Sequence, residues 1–481
     1  MSKILLLNPP GDQLYLRDYY CSHVSKAKYY WHPYDLLVQS GFLAQEHQVQ
    51  ALDANLLGLS ENETFYRIQR MDIDTIFFLT GAVSWRADFA FIQKIVDHKL
   101  RTPNSQLRTI ISTGDILLHR GKEMMLKYPF LDAILLDFTS DVLLKYLNGT
   151  QGEPLEYLIY RYHNQIIEGN RITDDKTFSL PIARYDLFPW GKYRIPHGLH
   201  MPFASTLTNF GCPFKCTFCI GSEIPLKLRK IDNVVSELQF LNQHFGIREA
   251  WVKDLTFAAN RNHAVEFCNA MIKCNLNYGW VCLSRVNVVD EELLQLMKSA
   301  GCHTIQFGVE SGDDKILEQY AKGIRKEQVV KIFSFCRQLG IRTLAHFMLG
   351  LPGETEDSAR KTIEFAKQLQ PDFASFNIAV PRMGTKFRQE AIDHGWTSAE
   401  ADVLDNSAAF PVLETPTMPK EKLWQLRNYA IRSFHLRPSY ILSRLFSVRT
   451  PYELSTLFRE GISLVVSTLK PAKGAVPTEP T

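Results

Sequence analysis

The chain has 481 residues, of which 45% are hydrophobic and 22% are charged, as in an ordinary globular protein. Its formal net charge of +3 is too small to indicate a nucleic-acid partner. No apolar run approaches the roughly 18 residues of a membrane-spanning helix, and the N-terminal MSKILLLNPPGD predicts a strand and a turn rather than a signal peptide. Nine cysteines, an odd number, argue against a disulfide framework and favour the reducing cytoplasm.

Residues 1–150 predict one α/β domain. Its five strand-like runs are Lys3–Asn8, Gln48–Asp53, Thr75–Thr80, Arg108–Thr113 and Ala133–Phe138. Helical patterns alternate with these short apolar runs, which predicts a doubly wound parallel sheet. Five strands suit the flavodoxin-like order, in which ligands bind at the carboxyl ends of the strands.

Residues 151–200 are less periodic. The run LPIARYDLFPWGKYRIPHG, from Leu180 to Gly198, is rich in proline, glycine and aromatic residues. This composition predicts a linker between domains that packs on a surface through its aromatic side chains.

Residues 201–385 predict a second, longer series of strands and helices. The candidate strands are Ser205–Asn209, Glu249–Lys253, Gly279–Ser284, Thr304–Val309, Thr343–Leu349 and Ala374–Val380. Helical patterns follow five of them, one of which extends from Ser311 to Leu339. Six regular units predict a partial (β/α)6 barrel, whose chemistry lies at the carboxyl ends of the strands.

Residues 386–470 predict a helical and basic C-terminal region, and residues 471–481 a disordered tail. The stretch between Glu421 and Glu453 contains no acidic residue and five arginines, Arg427, Arg432, Arg437, Arg444 and Arg449. One interpretation is contact with membrane lipid or with a phosphate-bearing substrate. The other is a helical cap that closes the open side of the barrel.

The most informative motif is the run FGCPFKCTFCIG, which contains Cys212, Cys216 and Cys219 in the spacing C-x3-C-x2-C. Three thiolates can hold three irons of a four-iron cluster and leave the fourth iron open for chemistry. A structural zinc site needs four ligands, but the next cysteine is Cys268 and the nearby histidines have no regular spacing. The motif therefore favours an open-site cluster over a zinc knuckle or buried structural cysteines.

This motif, with the aromatic Phe218 before its last cysteine and a barrel strand before its first, resembles the radical S-adenosylmethionine (SAM) superfamily. The resemblance covers Pro202–Met383. The N-terminal sheet is similar to the cobalamin-binding domain that precedes this barrel in one subgroup. The resemblance implies a 4Fe-4S cluster that cleaves SAM reductively to a 5′-deoxyadenosyl radical, which abstracts hydrogen from an unactivated carbon. It also implies an electron donor such as flavodoxin or ferredoxin.

The resemblance also implies SAM-binding positions at successive strand ends. Asp254 is expected to hold the amino group of SAM, with a helix cap before Arg261 as the structural alternative. Ser284 and Arg285 match positions that contact the ribose and the methionine carboxylate. Glu310 matches a contact to the ribose or the amino group. No catalytic side chain is assigned.

Two further strand ends carry both functional and structural interpretations. Ser311 and Asp314 form the pattern S-x-x-D, which predicts a capping box. Gly350 matches the edge of the family's barrel that binds adenine. Pro352, two residues later, predicts a tight turn before a helix.

Cobalamin binding is left open by the sequence. The motif D-x-H-x-x-G, whose histidine ligates cobalt, does not occur, because His23, His32 and His47 lack its aspartate and glycine. The leading hypothesis is therefore a radical SAM enzyme that rearranges, dehydrates, cyclises or couples a small metabolite or lipid precursor. One alternative is a cobalamin-dependent radical C-methyltransferase, and another is an iron-sulfur sensor without turnover.

Overall fold

The computed structural model describes residues 1–25, 29–100, 107–171, 176–405, 411–448 and 450–469. The chain forms two compact units. The first contains Met1–Ser25, Tyr30–Tyr193 and Asp402–Asp405, and the second contains Arg194–Ala401 and the described residues from 411 onward. Arg449 and the expected disordered tail 471–481 lie outside the described residues.

The first unit is built on one seven-stranded sheet. Its strands are β1 (Lys3–Asn8), β2 (Gln48–Asp53), β3 (Thr75–Leu79), β4 (Thr109–Thr113), β5 (Ala133–Leu135), β6 (Leu158–Tyr162) and β7 (Gln165–Glu168). Its helices are α1 (Tyr34–Leu43), α2 (Glu61–Gln69), α3 (Trp85–Leu100), α4 (Leu117–Lys127) and α5 (Val142–Leu147).

The strand order of this sheet is β2-β1-β3-β4-β5-β6-β7, and the first five strands are parallel. This is the predicted flavodoxin-like order, with the point at which the order reverses between β1 and β3. The strands form where the sequence places apolar runs, because both faces of such a sheet are covered by helices. Residues Ile4 to Leu7 of β1 are accordingly all buried.

Two antiparallel strands at the edge of the sheet lie within residues 151–200, where the sequence predicts a linker. β6 pairs with β5, and β7 pairs with β6, so this part of the segment extends the sheet. His163 and Asn164 connect the two strands, and both have positive φ angles, of 45° and 65°. A two-residue turn of this kind matches the twist of a hairpin.

The second unit is built on a six-stranded parallel sheet. Its strands are β8 (Ala204–Thr206), β9 (Glu249–Phe257), β10 (Gly279–Ser284), β11 (Cys302–Glu310), β12 (Arg342–Leu349) and β13 (Phe373–Ile378). Its helices are α6 (Ile231–Phe245), α7 (Arg261–Cys274), α8 (Glu291–Ser299), α9 (Asp314–Gln319), α10 (Lys326–Gln338), α11 (Glu356–Leu369), α12 (Lys386–Asp393), α13 (Lys420–His435), α14 (Pro438–Phe446) and α15 (Pro451–Leu469).

The six strands pair in sequence order, with a helix after each, which is the predicted partial (β/α)6 barrel. The helical pattern over 311–339 proves to be two helices, α9 and α10, with a loop between them. On the last two strands, half-buried residues alternate with buried ones near the carboxyl ends. The half-buried residues are His346, Met348, Ser375 and Asn377. One face of these strands is therefore accessible to solvent and to a small ligand.

The first C-terminal helix covers the last barrel strand. α13 packs on β13 and on α11, and the ring of Phe434 lies 6.0 Å from the ring of Phe376. This arrangement supports the cap interpretation for α13. No helix in the described part of the chain is long and apolar enough to cross a membrane.

Candidate active site

The cysteine loop follows β8 and is closed at its base by a short ladder. Asn209–Phe210 pairs antiparallel with Lys227–Arg229, so the loop leaves and returns at one place. Gly211 has a φ angle of 87°, and a Cβ there would lie 2.0 Å from the carbonyl oxygen of Pro225. Only glycine fits this close crossing of the backbone.

The three cysteines lie close to one another in this loop. The Cβ of a side chain at Gly221 would lie 3.4 Å from Sγ of Cys219 and 3.6 Å from Cβ of Cys212. Cys216 is buried, and the other two thiols are half-buried. Burial raises the pKa of Cys219, and the neighbouring thiols of Cys216 and Cys212 raise it further.

The loop fits a four-iron cluster better than a single metal ion. Among the described residues, no three His, Cys, Asp or Glu side chains converge closely enough to hold one ion. In a cubane cluster each thiolate instead binds a different iron, so the sulfurs stand further apart than the ligands of a zinc ion. Three neighbouring cysteines on one loop supply the donor set that the cluster needs.

Arg285 follows the end of β10 and points at the cysteine loop. Its Nη1 lies 3.2 Å from Sγ of Cys216, and its Nη2 donates to the carbonyl oxygen of Lys322. The guanidinium carbon lies 4.0 Å from the centre of the Phe214 ring. The structure therefore brings this predicted carboxylate ligand to the cysteines, although Arg285 itself is only 6% exposed.

Glu310 ends β11 in a left-handed conformation, with a φ angle of 67°. Its carboxylate accepts a 2.7 Å hydrogen bond from Nζ of Lys322, and both side chains are largely buried. A Cβ at Gly308 would lie 2.5 Å from the carboxylate and 2.7 Å from that Nζ, so the absence of a side chain there makes room for the pair. Strained backbone of this kind is frequent at functional sites.

Lys322 lies beside Arg285 and Glu310 near the cysteine loop, but the sequence analysis does not identify it as a site residue. It lies in the loop between α9 and α10, inside the segment predicted as one helix. Its Nζ lies 5.9 Å from the centre of the Phe218 ring. The available sequence signal is the Lys-Gly pair 322–323, since glycine in a helical pattern indicates a break.

Asp254 lies within β9 and binds the start of the cysteine loop. Its two oxygens accept hydrogen bonds from the backbone N–H and side chain of Thr208 and from the backbone N–H and side chain of Asn209. Burial raises the pKa of this carboxyl to about 7, and these hydrogen bonds lower it in part. The predicted contact to the SAM amino group stays a prediction. The alternative of a helix cap is wrong, because Asn260 caps α7.

The side chains at two other predicted positions form hydrogen bonds to other parts of the chain. The hydroxyl of Ser284 donates to the carbonyl oxygen of Phe257 at 2.8 Å, which joins β10 to β9. The capping box predicted for Ser311 and Asp314 is wrong, because Asp313 caps α9 and accepts from the N–H of Lys315. Ser311 instead bonds the side chain of Thr362 at 3.2 Å.

Gly350 directly follows β12 and has a φ angle of 86°, and a Cβ there would lie 2.4 Å from Leu423 of α13. Its N–H donates to the buried carboxyl of Glu354, whose pKa burial raises to about 8. Pro352 lies in the predicted turn before α11, and its carbonyl oxygen accepts from the hydroxyl of Tyr320 at 2.7 Å. The adenine contact expected at Gly350 stays a prediction.

In the first unit, protein side chains fill the crevice between β1 and β3. Arg17 pairs with Asp88 at 2.6 Å, and both side chains are fully buried. The same guanidinium donates to Asn8 at the end of β1 and to Ser84 after β3. This is the crevice where flavodoxin-like folds bind ligands. A cobalamin whose nucleotide tail entered this crevice would have to displace this buried ion pair.

The fold and the site together define a class of protein, in which a flavodoxin-like sheet is joined to a barrel with an open-site iron-sulfur loop. Comparison with known families gives the same result, since residues 207–366 match the radical SAM superfamily. This match covers about a third of the chain and includes the three cysteines.

Two curated relatives are methyltransferases by name. An uncharacterized methyltransferase of Pyrococcus horikoshii is 29% identical over 86% of this chain and 90% of its own length. Cytidylyl-2-hydroxyethylphosphonate methyltransferase of Streptomyces wedmorensis is 25% identical over 51% of this chain and 48% of its own length. The chain thus spans nearly all of the first relative and about half of the second.

Two solved structures share the fold of the whole chain. The cobalamin-dependent radical enzyme OxsB, with aqua-cobalamin and SAM bound, matches 97% of this chain and 72% of its own with a TM-score of 0.69 and 15% identity. The methyltransferase TsrM of Kitasatospora setae, with cobalamin and a [4Fe-4S] cluster bound, matches 97% of this chain and 99% of its own with a TM-score of 0.65 and 15% identity. At this identity the likeness shows the fold alone, and it confirms the predicted combination of a cobalamin-binding-like sheet and a radical SAM barrel.

Proposed function

We propose that this protein is a radical SAM methyltransferase that acts on a small molecule. Radical chemistry is supported by the cysteine loop after β8, which has the buried cations Arg285 and Lys322 beside it. Methyl transfer is supported by the two relatives named as methyltransferases. The relatives therefore favour methyl transfer, which is the reaction of the cobalamin-dependent alternative in the sequence analysis, over the leading hypothesis there.

The chain's own residues have distinct tasks in this proposal. Cys212, Cys216 and Cys219 would hold the 4Fe-4S cluster, which supplies the electron that cleaves SAM. Arg285 suits the SAM carboxylate, because a guanidinium fork matches a carboxylate in geometry and charge. Glu310 suits the amino group or the ribose hydroxyls, since an ionised carboxylate accepts hydrogen bonds from both.

Apolar packing around the loop excludes water from the reaction. Cys216 and Phe218 belong to a buried apolar cluster with Tyr320, Leu351 and Phe387. In a dry site, charged groups interact more strongly with a bound ligand than they do in water. Exclusion of water also protects a reactive radical from side reactions.

The accessible strand face offers hydrogen bonds to a substrate. The imidazole of His346 lies 3.1 Å from the side-chain oxygen of Gln306, and Ser375 donates to the side-chain oxygen of Asn377 at 3.2 Å. Such groups suit a small molecule with hydroxyl, amide or charged substituents. Binding sites of this kind fix the orientation of the carbon that reacts.

Methyl transfer by a radical route has a defined stoichiometry. One SAM and one electron give methionine and, after hydrogen abstraction, 5′-deoxyadenosine. A second SAM and a second electron place the methyl group on the substrate radical and give S-adenosylhomocysteine. The two electrons come from an external donor, for which a flavodoxin or ferredoxin is the proposed source.

The experiment uses anaerobically reconstituted protein, a chemical reductant, SAM with a deuterated methyl group and a low-molecular-mass extract of the source cells. The proposal predicts 5′-deoxyadenosine, S-adenosylhomocysteine and an extract component that gains the deuterated methyl group. Formation of 5′-deoxyadenosine without S-adenosylhomocysteine would contradict methyl transfer. Formation of 5′-deoxyadenosine also excludes an iron-sulfur sensor without turnover.

A second candidate is a radical reaction without methyl transfer, such as rearrangement, dehydration, cyclisation or coupling. The observation that favours it is the filled crevice around Arg17, since cobalamin serves as the methyl carrier in the cobalamin-dependent class. No step of the present proposal passes through cobalamin. The same experiment separates the candidates, because this one predicts 5′-deoxyadenosine with no deuterated methyl group in any product.

A further inference from the structure

Helix α14 turns polar side chains towards the second unit and apolar side chains away from it. The side chains that face the protein are polar: the hydroxyl of Tyr440 donates to the carbonyl oxygen of Asp372 at 3.1 Å. Arg444 is buried, with its guanidinium carbon 4.2 Å from the centre of the Phe373 ring. Surface helices of globular proteins normally bury their apolar face and expose their charged residues.

The outer face of α14 is apolar. Its exposed residues are Ile441 (43%), Leu442 (53%), Leu445 (44%) and Phe446 (87%). Residues 441 and 445, and likewise 442 and 446, are four positions apart and so lie on one side of the helix. Leu454 and Phe458 form a second exposed pair with this spacing on α15. Contiguous exposed apolar side chains mark interaction surfaces.

The chain around this face is positively charged. From Lys422 to Tyr452 there are six lysine and arginine residues and no aspartate or glutamate. Arg432 and Arg459 are exposed, whereas the nearest acidic residue on α15, Glu453, forms an ion pair with Arg342. An apolar helix face within a basic stretch of the chain complements an anionic membrane, whose interior is apolar and whose headgroups are negatively charged.

We propose that the outer face of α14 docks on an anionic lipid membrane as a peripheral contact. A helix of this kind lies in the plane of the interface, with its apolar side chains among the acyl chains and its cations at the headgroups. A second copy of this chain fits less well, because a twofold contact through the same face would place like-charged arginines opposite one another. This proposal is independent of the proposed reaction.

The test is co-sedimentation of the full chain with vesicles of phosphatidylcholine alone or mixed with phosphatidylglycerol. We expect binding to the mixed vesicles, weaker binding to the neutral ones, and loss of binding at high salt. The double variant Leu442→Ser/Phe446→Ser should weaken binding by about tenfold or more, because two large apolar side chains leave the interface.

The matched control is Ile272→Ser/Val330→Ser, which removes two exposed apolar side chains from α7 and α10. This control should bind vesicles as the wild type does, and circular dichroism should show that both double variants are folded. Equal binding of the α14 variant and the wild type overturns the proposal. So does a dimer in sedimentation equilibrium that the α14 substitutions dissociate while no form of the protein binds vesicles.

Discussion

The guanidinium of Arg285 lies 3.2 Å from the thiol sulfur of Cys216, over the ring of Phe214. A cation in contact with a cysteine of the open-site loop is placed to hold an anionic group at the cluster. Because Arg285 comes from the end of β10 and Cys216 from the loop after β8, the barrel fold itself creates this contact.

Substitution of Arg285 tests its role as a SAM ligand. Arg285→Ala should weaken SAM binding by about 10- to 100-fold, since a charge-assisted hydrogen bond contributes about 1.5–3 kcal/mol. Equilibrium dialysis with SAM measures the affinity, and iron and sulfide analysis should show that the cluster is retained. Arg360→Ala, on an exposed face of α11, is the control. Unchanged SAM affinity in Arg285→Ala would remove this residue from the site.

The buried pair of Glu310 and Lys322 should be stabilising only as a pair. Lys322→Met leaves a buried carboxylate without its cation, which should lower the free energy of unfolding by about 3 kcal/mol. Adding Glu310→Gln to that variant should restore part of the loss, because the buried charge is then removed. Urea unfolding of the two single variants and the double variant measures the coupling. Additive effects would show that the two side chains do not interact.

Glu354 should give the protein a distinct pH dependence. Its pKa is raised from 4.5 to about 8, mainly by burial, so the folded protein binds a proton that the unfolded chain releases. Its contribution to stability is therefore fully present below about pH 4.5 and is lost as the pH rises through about 8. Glu354→Gln mimics the protonated form. In urea unfolding, the free energy should fall with pH more steeply in the wild type than in this variant, and parallel curves would contradict the assignment.

The filled crevice of the first unit predicts that the protein does not retain cobalamin. After incubation with hydroxocobalamin and gel filtration, the visible absorption of the corrin should be absent from the protein peak. The physical reason is that a ligand must displace the buried pair of Arg17 and Asp88. One cobalamin per chain in that peak would show that the loop after β1 moves, and would favour the cobalamin-dependent form of methyl transfer.

Most of the fold follows from the sequence because its strands are short apolar runs between turns. The five parallel strands of the first sheet and the six barrel strands lie within a few residues of their expected positions. The hairpin of β6 and β7 is missed because its turn, His163–Asn164, contains no glycine to signal the positive φ angles that it requires.

Site residues can be predicted from the sequence where they lie at the carboxyl ends of the barrel strands. Arg285 and Glu310 are chosen in this way. Arg285 contacts Cys216 and Glu310 pairs with Lys322, and their roles as SAM ligands stay predictions. The direction of Asp254 is not predictable, because the pairing of β9 with β10 shifts register between Val252 and Phe257 and the simple alternation of faces fails there. Lys322 is not predicted as a site residue, because its loop interrupts a sequence pattern that is helical on both sides.

The central claim is that the three cysteines hold a cluster that cleaves SAM. The most direct measurement is 5′-deoxyadenosine formed from SAM by the anaerobically reconstituted and reduced protein, compared between the wild type and Cys216→Ala. The account predicts that the wild type forms this product, and that Cys216→Ala loses both cluster iron and product. A wild type that holds a full cluster and forms no 5′-deoxyadenosine, or a Cys216→Ala variant that keeps both, would contradict it.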